Sequence, residues 1–234
     1  MITKENILFC LVGLFAGLIV GFMFANSVNQ GQPAASSTSA AASMPGTGGM
    51  PAGHPPTAAN SGSSEEVQAA IDKARAEPEN FEAQIKAAEV FYQISRFEGA
   101  IEFLKQAAKI KPDDYVTIVN LGNAYFDSSK FDEAEKTYTE ALAKKPEDLD
   151  VRTDLGLTYA FRPQPDYDRA IKEFETVLAK DPKHTLALQN LVVAHTKKGD
   201  AAKANAALAR LEAADAKNSA ISKLREDIGK IGSK

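Results

Sequence analysis

Four prolines set the plan of this chain. Pro78, Pro112, Pro146 and Pro182 follow one another at intervals of 34, 34 and 36 residues. Each closes a stretch whose apolar residues recur at helical spacing, and proline, lacking a backbone N–H, cannot continue a helix. A fixed period of this length is the signature of a solenoid, in which one supersecondary unit recurs and buries its apolar face against its neighbours. The clearest unit is YVTIVNLGNAYFDSSKFDEAEKTYTEALAKKPED, Tyr115 to Asp148. Leu121, Gly122 and Tyr125 share one face of a first helix, and Ala134, Tyr138 and Ala141 share one face of a second. Gly122 and Ala134 stand where two helix backbones must approach closely, and the aromatic residues stand where a gap needs filling.

Leu121–Gly122, Tyr125, Ala134, Tyr138, Ala141 and Pro146, with Ile118 in place of a tryptophan, resemble the tetratricopeptide repeat (TPR), a helix–turn–helix unit of about 34 residues. The first unit, residues 81–114, carries Ala87–Ala88, Phe91, Ala100, Leu104, Ala107 and Pro112 at the same positions. The third, 149–184, carries Leu155–Gly156, Tyr159, Ala170, Phe174, Val177 and Pro182. Its two extra residues fall in the turn Phe161–Asp166. The fourth, 185–218, has Leu191, His195, Gly199, Ala204, Leu208 and Leu211, and Ala216 in place of the proline. The resemblance implies an all-α superhelical solenoid of antiparallel helix pairs, 81–218, whose first helices line a concave groove. A leading helix in 65–80 and a capping helix in 219–234 (Ile221, Leu224, Ile228, Ile231) flank it, because the ends of a stacked array otherwise expose apolar faces.

The N-terminal third is of another kind. No charged residue occurs between Glu5 and Glu65. After a short tail, residues 1–6, the run 7–25 reads ILFCLVGLFAGLIVGFMFA, about 28 Å of helix and close to the hydrocarbon thickness of a bilayer. It reads as a single transmembrane anchor. A cleaved signal peptide would have a shorter apolar core, and Ile7–Leu8–Phe9 before Cys10 is not a lipidation context. Lys4 precedes the run and no basic residue follows until Lys73. The positive-inside rule then places the N-terminus in the cytoplasm and the rest outside, in a bacterium the periplasm. Gly13, Gly17 and Gly21 share one face, which would suit a homodimer, although glycine is common in membrane helices. Residues 26–64 are Ala, Ser, Gly, Pro and Thr, a disordered tether. Met44, Met50 and His54 within it are soft ligands of the type copper(I) prefers, but a disordered tether supplies no fixed geometry or supporting shell.

With 27 basic and 31 acidic residues, net −4 and interspersed, the chain does not present a nucleic-acid surface. One cysteine permits no intrachain disulfide. No catalytic constellation, phosphate loop or cofactor motif is present: His54 lies in the tether, His184 in a turn and His195 at a packing position. Carboxylates are expected on solvated helix faces. The expected activity is therefore protein binding, not catalysis.

By resemblance, groove residues are the second, fifth, ninth and twelfth of each first helix. These are Glu82, Ile85, Glu89 and Tyr92; Val116, Val119, Asn123 and Phe126; Asp150, Thr153, Leu157 and Ala160; and Leu186, Gln189, Val193 and Thr196. Asn123 would bond the backbone of an extended peptide, with Tyr92 and Phe126 as aromatic anchors. Solenoid faces are shared between core and surface, so each of these residues is also a candidate for packing on the neighbouring unit. A basic clamp for acidic C-terminal tails, known in one branch of the family, is absent. Its positions hold Ile85, Glu89, Asn120, Asp150 and Asp154, of which only Asn120 fits. The overall plan resembles bacterial inner-membrane TPR proteins, including those that present apocytochrome c to haem-attachment machinery. The alternatives are a self-associating organiser at the membrane and a metal-delivery tether.

Overall fold

The computed structural model describes residues 64–231. Among them are ten α-helices and no strands. α1 (Ser64–Ala76) leads four helix pairs: α2 (Phe81–Gln93) with α3 (Phe97–Ile110), α4 (Tyr115–Asp127) with α5 (Phe131–Lys144), α6 (Leu149–Phe161) with α7 (Tyr167–Lys180), and α8 (Thr185–Lys197) with α9 (Ala201–Ala214). α10 (Ile221–Gly229) closes the array. Each helix packs on the next in sequence, and α6–α8 and α8–α10 also touch. The anchor expected at 7–25, with Gly13, Gly17 and Gly21, lies outside the described residues, as do most of the tether and its Met44, Met50 and His54. Among the described residues no helix is long and apolar enough to cross a membrane.

One polar residue starts each first helix. Asn80, Asp114, Asp148 and His184, spaced like the prolines, accept the backbone N–H three residues on, at 3.2, 2.8, 3.0 and 3.2 Å. Such caps satisfy donors that a helix start leaves open. Two of them also reach back to the start of the preceding first helix. Tyr115 Oη donates to Asp148 Oδ2 at 2.7 Å. His184 Nδ1 accepts the cap bond, which leaves Nε2 to donate to Asp150 Oδ1 at 3.2 Å. At the fifth such position Asn218 Oδ1 accepts instead from Ala220 N at 3.0 Å, and α10 follows.

The tight turns within pairs put Ser95, Ser129 and Gly199 at φ 57°, 60° and 76°, the left-handed region that glycine enters without a Cβ clash. The third pair differs. Its turn runs over residues 162–166, five residues where the others have three, and Phe161 ends α6 instead of opening the turn. Glu135 of α5 ties this turn down. It accepts Arg162 Nη2 at 2.5 Å and Arg169 Nη2 at 2.6 Å, and the Arg169 guanidinium lies 3.9 Å from the Tyr159 ring centre. Burial raises the Glu135 carboxyl, but the bonds from Arg162 and Arg169 outweigh it and hold it below its ordinary value.

Inside the pairs an aromatic ring lies on a glycine. A Cβ on Gly122 would stand 2.7 Å from Tyr138 Cε1, and one on Gly156 2.5 Å from Phe174 Cε1. What these glycines admit is a ring, not a second backbone. Tyr138 and Phe174 are both fully buried. Two apolar clusters run through the array, one from Ile71 to Ala124 and one from Ile118 to Ile228, with Tyr125 packed against both. Ile71 and Ala74 of α1 bury onto the first pair, and Ile221, Leu224 and Ile228 of α10 onto the last.

Candidate peptide-binding face

The first helices bring five of the expected groove residues around one cavity. Ile85, Ala88, Glu89 and Tyr92 of α2, Leu104 of α3, and Asn120 and Asn123 of α4 enclose about 20 Å³, room for roughly one water-sized group. The walls are apolar except for Glu89 and the two amides. Tyr92 is held in place: its ring meets Phe97 edge-on at 5.1 Å, and its hydroxyl donates to Asp127 Oδ2. Burial pushes the Asp127 carboxyl up to about 7.

Asn123 is the polar centre of this face. It is 1% exposed. Its Oδ1 accepts the Tyr138 hydroxyl at 2.9 Å, while its Nδ2 has no partner among the described residues. A buried donor without an acceptor costs about 1–3 kcal/mol, so an incoming carbonyl there would recover a bond that the protein alone does not make. The same holds further along. Asn190 Nδ2 of α8 and both carboxyl oxygens of Asp154 of α6 are buried and unpartnered. Asp154 and Asn190 are the sixth residues of their first helices, and Asn123 is the ninth of α4, one turn on from its own sixth residue, Asn120. Unsatisfied polar atoms thus occur on three successive first helices, with Arg162 Nε of the long turn as the further case.

The other expected groove residues are distributed differently. Val119, Phe126, Thr153 and Leu157 are buried. Phe126 lies edge-on to Phe131 at 5.6 Å and to Phe161 at 6.1 Å, and of the Phe126–Phe161 pair it is Phe161 that is exposed. Glu82 is exposed, and Gln189 is half-buried. Val193 belongs to a second cleft of about 550 Å³ at the C-terminal end, where Thr196, Lys197 and Lys198 face Leu224, Asp227 and Lys230. The sequence pattern did not join α10 to this face, because its apolar stripe reads only as a cap. Asp154 departs from the expectation that carboxylates lie on solvated faces. It is 1% exposed, and burial, then the charges of Asp150, Asp148 and Asp127, push its carboxyl well above its ordinary value. His195 is buried, which lowers its imidazole. Among the described residues no three His, Cys, Asp or Glu side chains converge to hold a metal ion.

Two sequence profiles, each described as a tetratricopeptide repeat, match the chain, one over 62–115 and 119–163 and the other over 164–228. No curated protein matches it in sequence. Among solved structures it is similar to a MamA protein (24% identity, 64% of this chain and 81% of that one, TM-score 0.58). It is also similar to a tetratricopeptide repeat protein from Parabacteroides merdae ATCC 43184 (20%, 65% and 60%, 0.58). A third similar structure is PilW, a type IV pilus biogenesis factor (20%, 69% and 76%, 0.56). At these identities the likeness is one of fold. Repeat pattern, stacked helix pairs and matched profiles agree: the chain belongs to the tetratricopeptide repeat family.

Proposed function

We propose that this protein is a membrane-tethered interaction scaffold that holds an extended segment of a partner protein along its first-helix face. The observation that carries this reading is the alignment of unpartnered buried polar atoms on that face: Asn123 Nδ2, both Asp154 oxygens and Asn190 Nδ2, on successive first helices. Side-chain groups left open in this way recover hydrogen bonds from a peptide backbone or its side chains, and the cavity beside Ile85 and Tyr92 receives a small apolar group. The apolar run 7–25 and the low-complexity segment that follows favour tethering at a membrane, with the repeats outside the cytoplasm. A role in an assembly or quality-control complex, such as cytochrome c maturation, fits a scaffold held this way. PilW, as a pilus biogenesis factor, has a role of the same broad kind.

The test is in-cell crosslinking with a photoreactive residue at Glu89 or Asn120. Both are half-buried beside the cavity, so a probe there does not displace core packing. One dominant adduct that disappears with Asn123→Ala is the expected result. Adducts that survive Asn123→Ala, or none, would remove the face from its proposed role.

A further inference from the structure

The polar atoms on the first-helix face do not all ask for the same partner. Asn123 and Asn190 present donors. Asp154 presents two carboxyl oxygens, 1% exposed and without a bond. Around it the nearby charges share one sign. Asp150 stands one turn earlier on the same face of α6, with its side chain 49% exposed, so it marks the open side of the site. Asp127 comes from α4, and Asp148 caps α6; these three are the carboxylates whose fields reach Asp154. Tyr138 of α5 is fully buried, and the charges of Asp154 and then Asp127 add to the burial that raises its hydroxyl. His184 is bonded to Asp150, and Lys145 lies over the ring of Tyr115, whose hydroxyl bonds Asp148.

A buried carboxyl with neither oxygen bonded, and a second carboxylate one turn away on the same helix face, is a place where a positive charge is missing. A small metal ion is not the answer, because no three ligating side chains converge among the described residues. A cation on a long arm does not need such convergence. It can pair with one carboxylate while donating to its neighbours. We propose that Asp154, with Asp150 one turn away, receives the ammonium or guanidinium of a Lys or Arg side chain in the bound segment. This rests on the peptide-binding reading above and gives it a charge: the preferred partner segment is basic. A cation settling there would draw the Asp154 carboxyl into its ionised form and release its proton.

The experiment uses the full chain in detergent and hexapeptide pools, acetylated and amidated, with one central position fixed as Lys, Arg, norleucine or Glu and the rest drawn from uncharged residues. Retention is measured by equilibrium dialysis and mass spectrometry at about physiological salt, where exposed charges are screened over roughly 8 Å. The Lys and Arg pools should be retained about tenfold over norleucine. That preference should collapse in Asp154→Asn and weaken in Asp150→Asn, a half-exposed position that folding tolerates. The Asn123→Ala variant should lower retention of every pool. Equal retention of all pools, with loss in Asn123→Ala, overturns the cation site and leaves the peptide face standing. No retention of any pool overturns both. A Lys preference that survives Asp154→Asn, or is lost equally in the remote Glu226→Gln, overturns the site, as does its displacement by micromolar calcium.

Discussion

The contact between a glycine and a ring inside each central pair makes a sharp prediction at Gly156. An added Cβ would lie 2.5 Å from Phe174 Cε1, 2.9 Å from Cδ1 and 3.1 Å from Cζ. Ordinary contact begins near 3.4 Å, so the ring must retreat by about 0.9 Å (3.4 − 2.5), and Phe174 is fully buried with no open side. Forcing a methyl into a packed site costs about 1–3 kcal/mol. Replacing a mid-helix glycine by alanine returns about 1 kcal/mol of helix propensity. Gly156→Ala should therefore destabilise by about 1 kcal/mol net, read as a shift of the urea midpoint by far-UV circular dichroism. The decisive arm is the double mutant. Phe174→Leu removes the ring edge and costs about 1–2 kcal/mol alone, but in that background Gly156→Ala should be neutral or stabilising. The coupling is then about 1–2 kcal/mol, as for residues in direct contact. If Gly156→Ala destabilises equally in both backgrounds, the ring is not what the glycine admits.

Two further outcomes follow from backbone and charge. Ser129 holds φ 60° and Gly199 holds φ 76° at equivalent turn positions, so Ser129→Gly should raise stability by up to about 1 kcal/mol and Gly199→Ala should lower it by about the same amount; matching signs in urea titrations would contradict the turn geometry. Burial raises the folded-state carboxyls of Asp127 and Asp154, so the native state keeps protons that the unfolded chain has released. Their contribution to stability is then full below the unfolded value near 4, and for Asp127 it is lost as pH rises through about 7. Asp127→Asn should flatten that fall between about pH 4 and 8, and an unchanged slope would refute the assignment.

Much of the fold can be read in the residues. The proline period and the apolar stripe of α10 depend on local spacing, which a sequence displays directly; that Gly122 and Gly156 each admit an aromatic ring and not a second backbone depends on packing, which it does not. The helix caps were less legible, because Asp114, Asp148 and His184 look like any polar residue before a helix until their partners are seen. The face was legible only in part. Helical period assigns Ile85, Asn123 and Thr153 alike to the inner side, yet depth on that side depends on how closely neighbouring first helices approach. Ile85, Glu89 and Asn120 remain half-open around a cavity, whereas Val119, Thr153 and Leu157 are covered. Asp154 shows the same limit from the other direction: its spacing suggests a solvated carboxylate, and only the packed neighbours show a buried one.

The bonds that link successive helix starts bear on how such an array lengthens. The segment 115–148 contains Tyr115 and also Asp148, the acceptor of its hydroxyl and the residue that starts the next helix. It therefore carries at its own end the signal that launches whatever follows. Copied in that frame, it would hand the same signal to its duplicate, and the junction would be chemically identical to the one already present. A copy made in another frame would separate the tyrosine from the carboxylate. At Asn218 the equivalent side chain turns to Ala220 instead, and there the inheritance stops. Growth by whole units and termination by a changed last residue are thus written into a single recurring position.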